Sequence, residues 1–183
     1  MALFDEAVQT VLEREGGYCN DPNDSGGETC FGITVDVARA HGYKGPMKDL
    51  DVFTAKDIYK RSYWDSQSLD SVALAAPLTA VKLFDIGVLS GITRSGMLLQ
   101  RVLNVLNMPT HAHELYPEVK VDGHIGSDTV GAVNMLVAYR GPDGDKALYH
   151  GILALQGARF ITIAEANMSQ KTFAYGWLLH RVL

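Results

Sequence analysis

The sequence predicts an all-α protein with at most a minor β element. Apolar residues recur at intervals of three and four along segment after segment, and glycines and prolines fall where those segments stop or begin. Only Val119–Val121 reads as a short strand.

The first helix is carried by Leu3, Phe4, Ala7, Val8, Val11 and Leu12, and Gly16-Gly17 ends it. A glycine-rich loop follows, and "ITVDVARAHGY" then reads as a short helix stopping at Gly42. In "LDVFTAKDIYKRSYWD", Thr54 stands three residues before Asp57 as in a capping box, with Ala55, Ile58, Tyr59 and Tyr63 on the buried face. "PLTAVKLFDIGVLSG" opens with Pro77 and is apolar nearly all round, which predicts a central buried helix. "TRSGMLLQRVLNVLNMP" is a further helix stopped by Pro109, and "THAHELYPEVKVDGHIG" is irregular. The chain closes with "SDTVGAVNMLVAYRG", started by Ser127 or Asp128 and stopped by Gly141, then the long "DKALYHGILALQGARFITIAEAN" and "SQKTFAYGWLLHRVL". Trp177 reads as core.

The 183 residues suit one domain or two small ones, and a formal net charge of −5 gives no basic field for nucleic acid. The charge is uneven: residues 1–90 hold 8 Lys/Arg against 14 Asp/Glu, and residues 91–183 hold 8 against 7. No window approaches the ~20 apolar residues of a membrane span, so stable membrane insertion is not expected. The N-terminus lacks the basic-then-apolar pattern of a secretory signal, which points to synthesis in the cytoplasm. Cys19 and Cys30, the two cysteines, make no disulfide framework and read as free thiols, with pairing across the loop as the alternative.

The unusual stretch is "EREGGYCNDPNDSGGETCFGIT", residues 13–34, where five carboxylates sit among two glycine pairs and a further glycine. Glu15 closes a helix, where the negative end of the dipole disfavours its ionised form, and burial by Tyr18 or Phe31 would add to that. A glutamic acid held protonated is what a glycosidase uses to protonate a leaving oxygen. Asp24, nine residues on in "DPNDSGG", sits in a polar turn that keeps an aspartate ionised. Together they have the composition of a two-carboxylate machine, though such pairs also arise by chance. The same loop begins like a calcium loop at Asp21, Asn23, Ser25 and Gly26, but its twelfth position is Gly32 rather than glutamate. For Asp21 a turn-capping role fits best.

These residues closely resemble the signature of glycoside hydrolase family 108, the N-acetylmuramidases of phage endolysins and bacterial wall-lytic proteins. "EGGYCNDPNDSGGETCFGIT" meets every fixed position of that pattern, "RSYWD" at 61–65 is similar to its Tyr-Trp element, and "LFDIGVLSG" at 83–91 to its Phe-Asp helix, with Leu89 where an asparagine is common. "VDGHIGSDTVGAVN" at 121–134 and "FAYGWLLHRV" at 173–182 resemble the peptidoglycan-binding domain usually joined to the family.

The resemblance implies a lysozyme-like catalytic region over 1–92 and closely packed C-terminal helices over 93–183. It places the acid on Glu15 and a second carboxylate on Asp24, acting as base or electrostatic stabiliser. The wider group adds a threonine where Cys30 stands here, leaving Thr29 and Thr34 as nearby hydroxyls. Tyr18, Thr29, Thr34, Tyr63 and Trp64 are the candidate substrate-binding residues, the Tyr-Trp pair as a sugar platform or as core anchors.

The implied reaction is hydrolysis of the β-1,4 bond between N-acetylmuramic acid and N-acetylglucosamine. The protein would act as a monomer on peptidoglycan and, as an endolysin, reach the wall after holin-dependent release from the host cytoplasm. The alternatives are a non-catalytic peptidoglycan-binding or secretion-associated module and a lytic transglycosylase. His111, His113, His124 and Asp122 match no strong zinc spacing, so no metal or cofactor is expected.

Overall fold

The computed structural model describes residues 2–20, 27–107 and 113–182. The chain divides into two compact units, Met1–Ser66 and Gln67–Leu183. The described residues form nine α-helices and three two-residue strands, so the fold is all-α with a minor sheet.

The first unit begins with α1 (Ala2–Glu15), whose Phe4, Ala7, Val8, Val11 and Leu12 are buried as the spacing predicts. Strands β1 (Tyr18–Cys19), β2 (Thr29–Cys30) and β3 (Ile33–Thr34) form an antiparallel sheet in that order. The sheet therefore lies in the glycine-rich loop, not at Val119–Val121. Helix α2 (Val35–Ala40) follows directly, and the Thr34 hydroxyl accepts the Val37 N–H at 3.4 Å as its N-cap.

Helix α3 (Val52–Tyr59) starts one turn earlier than the capping-box reading places it. Asp51 is the cap, taking the Thr54 N–H at 2.9 Å and the Thr54 hydroxyl at 2.8 Å. The helix then widens into a π turn over Lys60–Trp64, a local change of pitch that often marks functional positions.

In the second unit α5 (Pro77–Ser90) packs against α4 (Leu69–Ala73), α6 (Ile92–Leu106) and α8 (Pro142–Ala166). Its buried residues include Thr79, Leu83, Phe84, Ile86 and even Lys82, which makes it the central helix the sequence predicts. The N-terminus of α5 is held from α8. Asp145, 4% exposed, accepts the N–H groups of Leu78 at 2.9 Å and Thr79 at 3.0 Å and the Thr79 hydroxyl at 2.7 Å.

Helix α9 (Lys171–Arg181) returns to α5 through a shared ionic cluster. Arg181 reaches Asp85 at 2.9 Å, Lys82 reaches Asp85 at 3.3 Å, and the Lys82 ammonium donates to the Arg181 carbonyl. Trp177 is half-buried between Phe160 and Phe173 rather than fully in the core.

Helix α7 (Ser127–Arg140) begins at Gly126, and neither Ser127 nor Asp128 caps it with a side chain. The irregular segment before it is tied to α6 by a stripe of amides at Gln100, Asn104 and Asn107. Asn104 donates to the Val119 carbonyl at 2.8 Å and accepts the Val119 N–H at 2.9 Å, doing what a neighbouring strand would do. Asn107 likewise accepts from Leu115 and Tyr116 at 3.1 Å each and donates to the Tyr116 carbonyl at 2.8 Å. No strand forms at Val119–Val121, and the Val119 backbone groups are met by the Asn104 side chain rather than by a second strand.

Candidate active site

Glu15 is the last residue of α1, and Gly16 turns the chain away with a φ of +74°. Two residues later the chain enters β1, where Tyr18 pairs with Cys30 and Cys19 with Thr29. The link from β2 to β3 is a two-residue hairpin turn in which Phe31 (φ +52°) and Gly32 (φ +71°) both take left-handed backbone. Glycine suits the second position. Phenylalanine at the first costs about 1–2 kcal/mol of backbone strain.

That turn sits against Glu15. A Cβ added to Gly32 would lie 2.8 Å from Glu15 Oε2 and 3.0 Å from its Cγ. Gly32 is therefore required twice, for its φ and for the room it leaves the carboxylate. The turn is fastened from α3: the Tyr59 hydroxyl donates to the Phe31 carbonyl at 2.9 Å. Tyr59 is 3% exposed, and its ring lies 5.7 Å from that of Tyr63.

Burial first, then the Glu15 charge, pushes both phenols above their ordinary value. Glu15, Gly32, Phe31, Tyr59 and Tyr63 thus form one constellation, with two neutral phenols flanking a carboxylate. The Glu15 side chain is exposed, so the burial expected from Tyr18 or Phe31 is not there. Its carboxylate takes no hydrogen bond from a described residue, which leaves it available to a ligand.

The other predicted residues fall as follows. Asp24 lies in the segment joining β1 to β2, outside the described residues, as do Asp21, Asn23, Ser25, Gly26 and His111. Tyr18 is exposed, and its hydroxyl donates to Glu28 at 2.8 Å, which raises its pKa. Thr29 and Thr34 face each other across β2 and β3, and Thr34 is partly engaged as the α2 cap. Tyr63 is half-buried beside Glu15.

Trp64 corrects the sugar-platform reading. It is 1% exposed, edge-on to Phe4 at 5.4 Å, so its ring packs the core and presents no face to a sugar. Tyr59 is a member that sequence reasoning did not assign to the site, whereas Phe31 was expected beside Glu15 and holds the turn there rather than burying the carboxylate. The signal available was the residue-glycine pair between β2 and β3, which marks a tight hairpin.

Cys19 is exposed and Cys30 buried, and both are free thiols although they sit on paired strands. Among the described residues no group of three His, Cys, Asp or Glu side chains could hold a metal ion. Among the described residues no helix is long and apolar enough to cross a membrane.

Glycoside hydrolysis uses a pair of carboxylates, and Glu15 is one exposed carboxylate beside the small sheet. Residues 8–91 match the glycosyl hydrolase 108 family, and residues 94–182 match the family described as Predicted Peptidoglycan domain. The solved structure titled "Structure of Brucella abortus SagA" is similar along nearly its whole length. It shares 26% identity at a TM-score of 0.64, covering 98% of this chain and 90% of that one. No curated protein matches the chain. These matches support a peptidoglycan hydrolase.

Proposed function

We propose that the protein is an N-acetylmuramidase that hydrolyses the β-1,4 bond between N-acetylmuramic acid and N-acetylglucosamine, with Glu15 as general acid. The observation that carries this reading is the Glu15 carboxylate itself. It is fixed at a helix end by the glycine turn under it, flanked by Tyr59 and Tyr63, exposed, and without a hydrogen bond from any described residue. In its protonated form Glu15 gives its proton to the leaving oxygen as an oxocarbenium-like centre develops. Asp24, nine residues on, is assigned to activating water from the opposite face or to stabilising the positive charge. Tyr18, Thr29, Thr34 and Tyr63 are the assigned sugar contacts. Residues 1–92 then form the catalytic region and 93–183 the wall-binding one.

The test is digestion of purified peptidoglycan with mass spectrometry of the products. Reducing muramic ends, heavier by one water than anhydro ends, are the expected outcome; anhydro ends would make the enzyme a lytic transglycosylase. Anomer-resolved NMR of fresh product is expected to show inversion, the outcome of carboxyls about 6.5–9.5 Å apart. An initial β-anomer would show retention instead. The family resemblance also supports an endolysin role with holin-dependent release. A wholly periplasmic pool in cells lacking the holin would contradict that role.

A further inference from the structure

The chain holds 21 acidic and 16 basic residues, so most of its arginines could find an acid. Arg61 pairs with Asp57 and Arg181 with Asp85, while Arg39 donates to the carbonyls of Tyr43 and Gly45. Three others do not follow this pattern. Arg94 and Arg101, two turns apart on α6, and Arg159 on α8 line one pocket of about 320 Å³, and none forms an ion pair or hydrogen bond with a described residue.

The acids of the two helices are accounted for. Helix α6 has none. On α8, Asp143 binds Lys146, Asp145 is buried against the start of α5, and Glu165 is exposed beyond the pocket lining.

Arg94 and Arg159 are half-buried, so two like charges share a partly desolvated space without a counter-charge. Burial and then the Arg94 charge push the Arg159 guanidinium below its ordinary value, the direction expected of a cation in that position. Folding keeps this arrangement although it is unfavourable in the free protein, which is how a site kept for an anion behaves.

The remainder of the pocket narrows the class of anion. Leu98 and Ile163 give it an apolar floor, while the Thr162 hydroxyl is turned to the Ala158 carbonyl at 3.0 Å. A guanidinium takes a carboxylate in two parallel hydrogen bonds, and the floor suits a short aliphatic side chain beside it. Its volume lies near the lower end of the ~300–1,000 Å³ of small-ligand sites, enough for a few small residues and too little for a polymer.

We propose that the pocket lined by Arg94, Arg101 and Arg159 is a subsite for the carboxylate-bearing peptide side chains of peptidoglycan. This rests on the reading of the protein as a peptidoglycan hydrolase and adds to it. The glycan strand goes to the glutamate, and the peptide carboxylates go to the arginines. It also supplies what the Asp-Gly-x-x-Gly turn of the same region does not, since Asp122, Gly123 and Thr129 are engaged with Gln100.

The test is calorimetric titration of the full chain with a disaccharide-tetrapeptide fragment, the same disaccharide without peptide, and inorganic phosphate. Digestion of sacculi is measured alongside. The tetrapeptide fragment binds, sodium chloride weakens it, and the Arg94→Gln/Arg159→Gln double variant loses at least about tenfold in affinity. Arg159→Lys loses less, because the charge stays and only the bidentate geometry goes. Arg101→Gln, at an exposed position, weakens binding without touching the fold. The melting temperature of the double variant stays at or above that of the wild type, since a repulsion has been removed.

Unchanged affinity in the double variant, or equal binding of the peptide-free disaccharide, overturns the proposal. Phosphate bound more tightly than the tetrapeptide overturns it in favour of a phosphate-bearing source. Digestion of sacculi with fragment binding equal across the variants removes the subsite alone. Fragment binding without digestion removes the hydrolase reading alone, and failure of both removes both.

Discussion

Two glycine-marked loops, one in each unit, treat their carboxylates in opposite ways. In the second unit the turn at Asp122-Gly123 is bonded almost completely. Asp122 accepts from the His124 N–H at 2.9 Å and from Gln100 at 3.1 Å, with Lys120 at 3.6 Å, and these hold its carboxyl below the usual range. Gln100, 1% exposed, also donates to the His124 carbonyl and accepts the Gly123 N–H at 2.7 Å. Gly96 and Gly123 let the two backbones meet, since a Cβ on Gly96 would lie 2.2 Å from the Gly123 carbonyl oxygen.

In the first unit the glycine turn and the Tyr59 hydroxyl place Glu15, yet no described group bonds its carboxylate. The lesson concerns motifs. An acid whose hydrogen bonds are met from within is holding the chain in shape, and one that is positioned but left unbonded is available for chemistry.

The largest effect that would sharpen this contrast is on turnover. Glu15→Gln keeps the shape and removes the transferable proton, and the rate of peptidoglycan hydrolysis should fall by about 10²–10⁴-fold. Next comes the anchor of α5. Asp145→Ala leaves the Leu78 and Thr79 N–H groups without their acceptor, and a urea melt should show a loss of about 2–5 kcal/mol.

Gly32→Ala should cost about 1–2 kcal/mol from left-handed strain and lower activity as well, because the new methyl displaces Glu15. A stable and fully active Gly32→Ala would break the claim that this turn positions the acid.

The smallest effect is on alkaline stability. Burial pushes Tyr116 up to about 12, and its hydroxyl donates to the Leu103 carbonyl at 2.8 Å. Above pH ~10 the unfolded state gives up the phenol proton first, so it binds fewer protons than the folded state and stability falls as pH rises. The contribution is lost between pH ~10 and about 12, and thermal melts of Tyr116→Phe should show a flatter decline across that window.

What the sequence could reveal follows the range of each interaction. The course of α1, the central burial of α5 and the stop at Gly141 depend on residues within a turn or two of one another, and all were readable. Glu15 stood out for the same reason, as a helix end followed by two glycines. Asp145 gave no local sign of its role, because its partners Leu78 and Thr79 lie 67 and 66 residues away. Tyr59 read only as core, since the carbonyl it holds is 28 residues distant. Trp64 was open to two readings because an aromatic at a helix end looks the same from sequence whether it turns inward or outward. Val119–Val121 reads as a strand because sequence does not show that an amide on α6 meets the Val119 backbone groups.

The most direct test of the account is to measure clearing of purified peptidoglycan and melting temperature on Glu15→Gln and Asp122→Ala together. A crossing pattern is expected. Glu15→Gln stops clearing and melts with the wild type, while Asp122→Ala melts lower and still clears below its melting point. Clearing by Glu15→Gln at the wild-type rate would contradict it, and would remove Glu15 as the acid.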